Sequence, residues 1–276
     1  MHEAYDIVVK IGSMALIRDE DSDIDYNIFS RLGASLRPGM LLVSSGATEI
    51  GRIDYAKRMG AELSGDEEDM KTDYAAQGQS ILMENYRQFI NPGYSVRQVL
   101  VEHSHFNDAE KREHIYRLLM RMPAQNAIPI VNYNDPVSSE ENRKMELKRI
   151  GHNGEYPVVE CVDNDETAAV IAQLVCARAL VILTSVDGIY QTPGDPATLI
   201  REISGATPQE LEKNVADAIA CCQGASRAGA QGAGAKLKYS LAPASAGTHV
   251  FIARAKNRLD DILSGKAAST HIYIKP

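Results

Sequence analysis

At 276 residues, 44% apolar and 24% charged, the chain has the composition of one large α/β domain or of two lobes sharing a sheet, and not of a disordered segment. Its formal charge of −8 and pI near 5.4 argue against a nucleic-acid-binding surface, because neutralising many phosphates takes concentrated basic residues. No apolar run approaches the ~18 residues of a membrane span, and Met1 to Ala4 lead into a strand-like run rather than a signal peptide, so a cytoplasmic protein with no membrane or nucleic acid partner is expected.

The first apolar run, Ile7 to Ile11, reads as a strand whose end delivers Lys10, and Gly12-Ser13 as a small-residue turn that a phosphate can approach. Ile28, Leu32 and Leu36 fall on one face of a helix that Pro38-Gly39 stops. The strand from Met40 to Val43 ends in Ser44-Ser45-Gly46-Ala47 before another helix-like stretch. Such a junction either holds a carboxylate or phosphate on backbone amides or is a plain tight turn. Residues 60 to 71, small and acidic, read as an exposed loop, followed by a long helix from about Thr72 to Ile90.

A third strand spans Val96 to Val101. His103 and His105 then sit in a loop entering a helix near Asp108 and do not read as a metal site. The strand from Ile128 to Val131 leads into Asn132-Tyr133-Asn134-Asp135-Pro136, a polar cluster that a core would not want. From Ser138 to Tyr156 the chain is polar and charged, as in a flap or hairpin with a solvated face, or a substrate lid.

Asp163-Asn164-Asp165 stands directly before a helix-like stretch from Glu166 to Ala172. Helix capping accounts for one of the three polar residues and not for all of them. A buried strand from Val181 to Thr184 runs into Ser185-Val186-Asp187-Gly188-Ile189-Tyr190, a turn suited to a ligand or to a tight reversal. Gly224 to Ala235 could pass for a linker, but a linker is not expected to end in a lysine, Lys236, that opens a helix. Further strands are expected from Val250 to Ala253 and from Thr270 to Ile274. Cys161, Cys176, Cys221 and Cys222 show no C-x-x-C spacing and read as buried or incidental thiols. Strand then helix, repeated, predicts a parallel sheet covered on both faces.

A lysine close to a glycine-containing turn is usually a solvated loop end. Two of them, Lys10 and Lys236, with a carboxylate cluster between them in sequence, outline a phosphoryl-transfer site instead. A pair of ammonium groups flanking the transferred group would neutralise the charge that spreads over its oxygens as the bond breaks.

The ordered motifs resemble the amino acid kinase family, and within it the glutamate 5-kinase branch most closely. They are Lys10-Ile11-Gly12-Ser13, Val43-Ser44-Ser45-Gly46-Ala47, Ala75-Ala76-Gln77-Gly78-Gln79, Ile128 through Asp135, Asp163-Asn164-Asp165, Thr184 through Tyr190 and Gly229 through Lys236. The resemblance implies a three-layer αβα sandwich around an eight-stranded, mainly parallel sheet. It implies a single kinase domain over 1–276, with an acceptor lobe over about 1–160 and an ATP lobe over about 161–276. The carboxyl-terminal PUA domain common in bacterial glutamate kinases is not expected.

By the same resemblance, Lys10, Lys236 and Asp165 are the catalytic residues, the lysines holding the transferring phosphoryl group and Asp165 orienting them. Ser45, Gly46, Ala47, Asn132, Asp135, Asp163 and Asn164 surround the acid. Lys10, Gly12, Ser13, Thr184, Ser185, Asp187, Gly188, Gly232, Ala233, Gly234 and Lys236 contact ATP. The implied reaction moves the γ-phosphate of ATP, with Mg²⁺ carried by the nucleotide, onto the side-chain carboxylate of glutamate. Partners are the amino acid and ATP, in a homo-oligomer of two or four copies. The chain departs from the pattern at Ser185, where aspartate is usual, at Tyr133, where glutamate is usual, and at Ala230, Gln231 and Ala233 of the glycine motif. The Asp135 to Asp163 interval is also long. These departures keep open a different small acid as acceptor, or a silent paralogue that binds nucleotide or amino acid as a sensor or store.

Overall fold

The computed structural model describes residues 5–18, 20–138, 144–148, 158–161, 163–192, 194–223 and 230–275. Its sheet contains β1 (Ile7–Ile11), β2 (Met40–Ser44), β3 (Ser95–Val101), β4 (Ala127–Tyr133), β5 (Ala179–Thr184), β8 (Glu202–Gly205), β9 (His249–Arg254) and β10 (Ser269–Ile274). Two-residue strands β6 (Ile189–Tyr190) and β7 (Leu199–Ile200) pair apart from it. The order across the eight strands is β3-β4-β2-β1-β5-β9-β10-β8, parallel throughout except where β10 turns against β9 and carries β8 with it. β1 therefore lies at the centre, hydrogen-bonded to β2 on one side and β5 on the other.

The helices are α1 (Tyr26–Ser35), α2 (Ala47–Met59), α3 (Glu67–Phe89), α4 (Ser104–Asn107), α5 (Ala109–Arg121), α6 (Asn164–Leu174), α7 (Pro208–Gln223), α8 (Ala230–Ser245) and α9 (Leu259–Leu263). They divide between the two sheet faces according to the two-residue period of the strands. Ile7, Val9 and Ile11 of β1 join a cluster with Ile28 and Phe29 of α1, Ile50 of α2, Leu82 and Tyr86 of α3 and Ile262 of α9. Val8 joins the opposite cluster, with Leu119 of α5, Ala168 and Ile171 of α6, Leu211 and Val215 of α7 and Leu237 of α8. Both faces are dry, which is why the central strands read as unbroken apolar runs. The result is a three-layer αβα sandwich.

Two segments depart from what the sequence leads one to expect. The acidic run from Asp66 to Asp69 forms the first turn of α3 rather than part of a loop: the Asp66 carboxylate caps the amides of Glu68 and Asp69, and acidic side chains suit a helix amino terminus. α3 then runs against α2 with two glycines at the contact. A Cβ placed on Gly78 would sit 1.8 Å from the Ala47 carbonyl oxygen, and one on Gly51 1.8 Å from that of Tyr74. The short edge strand β8 has no apolar run to announce it; it is held by β10, and only Ile203 and Gly205 in it are buried. Of the polar stretch 138–156, residues 144–148 are helical, and most of the remainder lies outside the described residues.

Candidate active site

Strands β1, β2, β4, β5 and β9 all end on the same edge of the sheet, the edge where open parallel sheets present ligand crevices. Lys10 is the fourth residue of β1, so alternation turns it to the side of Val8, the face covered by α6 and α8. There its ammonium lies 2.6 Å from Asp165 Oδ1. Asp165 is in the first turn of α6, whose N-cap Asp163 accepts the Asp165 backbone N–H. From α8, Lys236 Nζ donates to Asp165 Oδ2 at 2.9 Å. One carboxylate thus receives two lysines that approach from different elements, with side-chain exposures of 6% for Lys10, 1% for Asp165 and 19% for Lys236.

Charge follows from this packing. Burial pushes the Asp165 carboxyl up, but the two ammonium groups outweigh it and hold Asp165 below the ordinary carboxylate range. Among the described residues Asp163 has no ammonium group in an ion pair with it. Its own burial, and then the neighbouring charge of Asp165, raise it.

A cleft of about 440 Å³ opens over this cluster. Of the residues singled out in the sequence, Lys10, Gly12, Ser13, Ser45, Asp163, Asn164, Asp165, Thr184, Ser185, Gly232 and Lys236 line it. Gly12 N–H is held by the Leu183 carbonyl at 3.2 Å, and a Cβ there would meet nothing closer than 3.8 Å, so the protein itself leaves the space over this turn open. Ser45 is followed by Gly46 at φ 107°, a left-handed conformation that suits glycine, and a Cβ there would sit 2.8 Å from Leu16 Cδ1. Ala47 begins α2, whose first-turn amides have no side-chain cap.

The other residues singled out stand back from the cleft. Asn132 is buried behind Asn164, to which it is hydrogen-bonded, and Asp135 lies half-buried in the short helical turn after β4. The Asp187 carboxylate is taken up by Arg254 Nε at 2.7 Å and by the Tyr190 hydroxyl at 3.1 Å. Gly188 packs against β10, where a Cβ would sit 2.6 Å from Thr270 Oγ1. Ala233 and Gly234 lie on α8, half-buried and apart from the lining. Here the structure corrects the sequence reading. Gly232 and Gly234 do not form a turn that opens a helix: α8 has already begun at Ala230, and Lys236 reaches from inside it. Alanines at 230, 233 and 235 favour helix enough to carry the two glycines along.

Tyr133 points away from the cleft into the apolar cluster under α5, with its hydroxyl 2.8 Å from Ser138 Oγ and 3.2 Å from His103 Nδ1. Sequence reasoning missed Met14, Ala15 and Leu183, which also line the cleft, and Met14, 60% exposed there, has no polar chemistry to mark it. It also left Gln79 without a role, although that residue closes the motif containing Gly78. Gln79 Oε1 accepts from Asn132 Nδ2 at 2.8 Å.

Known proteins resemble this chain in sequence and in fold. The sequence model of the amino acid kinase family matches residues 7–254. A glutamate 5-kinase of Geobacillus thermodenitrificans is 30% identical over 279 residues, spanning 97% of this chain and 67% of its own length. One of Corynebacterium glutamicum is 33% identical over 207 residues, spanning 71% and 50%. Among solved structures, carbamate kinase from Giardia lamblia bound to AMP-PNP superposes with a TM-score of 0.58 at 15% identity, covering 99% of this chain and 100% of that one. A product complex of T. acidophilum isopentenyl phosphate kinase gives 0.53 at 14%, covering 98% and 100%. At such identities the structural likeness speaks to the fold alone.

Proposed function

The chain belongs to the amino acid kinase family, and from that premise we propose that it transfers the γ-phosphate of ATP to the side-chain carboxylate of L-glutamate, giving an acyl phosphate. The observation that carries this reading is the convergence of Lys10 and Lys236 on Asp165 beneath the cleft. A carboxylate is already a nucleophile, so the chain needs no general base; it has to align two anions and offset their charge. An ammonium has three N–H donors. One from each lysine is directed at Asp165 and a second from Lys236 reaches the Gly232 carbonyl at 3.5 Å; the remaining donors can meet phosphoryl oxygens, and Asp165 fixes where the two charges stand. In this reading Ser45, the first amides of α2, Asn132, Asp135, Asp163 and Asn164 form the acid end. Gly12, Ser13, Thr184, Ser185 and Gly232 form the nucleotide end, with Asp187, Gly188, Ala233 and Gly234 supporting it from behind. In this reading magnesium would enter on the nucleotide, where it would supply charge neutralisation.

The test is ATP turnover with Mg²⁺ against L-glutamate, other dicarboxylic amino acids and several nucleoside monophosphates, with the acyl phosphate trapped as hydroxamate by hydroxylamine. Hydroxamate from glutamate is the expected result. Activity on a different acid alone would reassign the acceptor. The helical setting of Gly232 and Gly234 favours a second reading, a silent nucleotide- or amino-acid-binding sensor. ATP binding with no turnover on any acceptor would select it.

A further inference from the structure

Three amide side chains, those of Gln79, Asn132 and Asn164, form a relay whose sense is set by one backbone group. Tyr133 N–H donates to Asn132 Oδ1 at 2.8 Å. A backbone N–H can only donate, so the atom it meets is the amide oxygen and not the nitrogen. Asn132 Nδ2 then donates to Gln79 Oε1 at 2.8 Å, and Asn164 Nδ2 donates to Asn132 Oδ1 at 2.9 Å and to Ser45 Oγ at 3.1 Å. Among the described residues two atoms of the relay remain buried without a partner, Asn164 Oδ1 at one end and Gln79 Nε2 at the other. Asn164 lines the cleft; Gln79, only 8% exposed, does not. The relay therefore holds a carbonyl oxygen, an acceptor, at the acid end of the site. An acceptor suits an ammonium group and has nothing to offer a carboxylate.

We propose that Gln79 is a positioning residue that makes the site select acids bearing an ammonium group over the same acids without one. This rests on the reading of Asn164 as part of the acid end. Gln79 Oε1 takes the Asn132 Nδ2 as the Tyr133 N–H takes its Oδ1, and the two together keep the Asn132 amide from turning. Without Gln79 Oε1, Asn132 Nδ2 would be buried unpaired, a cost the side chain relieves by rotating to another partner and letting go of Asn164. Asn164 Oδ1 then no longer holds its place.

The test uses the full chain with L-glutamate and with glutarate, its counterpart lacking the ammonium, reading binding by calorimetry and turnover by hydroxamate. The unmodified protein should prefer glutamate. Gln79→Met, similar in volume but without the acceptor, should lose roughly tenfold or more of that preference, the size of one hydrogen bond to a charged group. Its ATP KM should be unchanged. Gln79→Glu keeps an oxygen for Asn132 and should retain the preference; if the methionine variant fails to fold, loss of preference in the glutamate variant overturns the proposal. Equal losses on both acids in Gln79→Met also overturn it, as a merely structural role would produce. Selective binding of glutamate without any hydroxamate leaves the relay standing and removes the kinase reading. Hydroxamate with an unchanged preference in Gln79→Met does the reverse, and no binding of either acid removes both.

Discussion

Gly51 and Gly78 meet where α2 crosses α3, each so close to the other's backbone that neither has space for a methyl group. A Cβ on Gly78 would lie 2.5 Å from Gly51 N, and one on Gly51 2.9 Å from Gly78 N. This contact places α3 against the start of α2, and so sets where Gln79 stands behind the cleft. Gly78→Ala must push the helices apart at Ala47, and overpacking of this kind costs about 1–3 kcal/mol. Urea unfolding should show that loss, and the affinity for the acid should fall more than that for ATP.

Removing either lysine should abolish most turnover. On the proposed reading Lys10→Ala and Lys236→Ala each delete a cation that serves the transferring group, and loss of one such contact typically lowers kcat by about 10²-fold or more. The two should differ in stability: Lys10 is the more buried partner of Asp165, so its truncation should lower the thermal midpoint further than that of Lys236. Near-normal kcat in either variant would remove that lysine from the chemistry.

Asp163 and Asp165 should impose opposite pH dependences on folding. Asp165 titrates below the unfolded value of 3.8, so its contribution is present above that value and is lost as pH falls through the folded value. Asp163 titrates above 3.8, so the folded state binds its proton more tightly than the unfolded one, and stability falls as pH rises from 3.8 through the raised value. Asp163→Asn keeps a capping oxygen and removes the buried charge. The variant should be more stable than the parent at pH 7, and the difference should shrink toward pH 4. Urea midpoints across that range check the sign.

Tyr133→Glu restores the residue usual in the glutamate 5-kinase branch, yet the side chain it replaces is buried among Val101, Phe106 and Leu119 rather than facing the acid. A carboxylate there is desolvated. The expected outcome is a lower thermal midpoint with little change in which acids are phosphorylated, whereas Tyr133→Phe should be far milder. A changed acid preference at unaltered stability would show that this position reads the substrate.

Much of the fold was legible because central strands buried on both faces carry unbroken apolar runs, as Ile7 to Ile11 and Val181 to Thr184 do, and because glycine or a carboxylate marks the helix ends. β8 escaped notice because an edge strand needs only one buried face, and Glu202 and Ser204 occupy the other. At the candidate site, Lys10 and Asp163 to Asp165 stood out as charges in apolar surroundings. The conformation of the segment around Lys236 did not, since Gly232 and Gly234 suggest a turn while the alanines between and before them settle it as helix. Gln79 was visible in the sequence, but its part depends on Asn132 and Asn164, which only the folded sheet brings beside it.

The central position of β1 makes the site a property of a seam. Lys10 belongs to the strand on one side of the β1–β5 junction, while Asp165 and Lys236 come from the part of the chain that supplies the other side. A chain severed shortly after Val137 would yield two pieces, one with Lys10 and the other with Asp165 and Lys236, and neither with the full cluster. Turnover recovered on mixing them would register the pairing of Ile7–Ile11 with Ala179–Thr184, which makes this protein a natural candidate for fragment complementation.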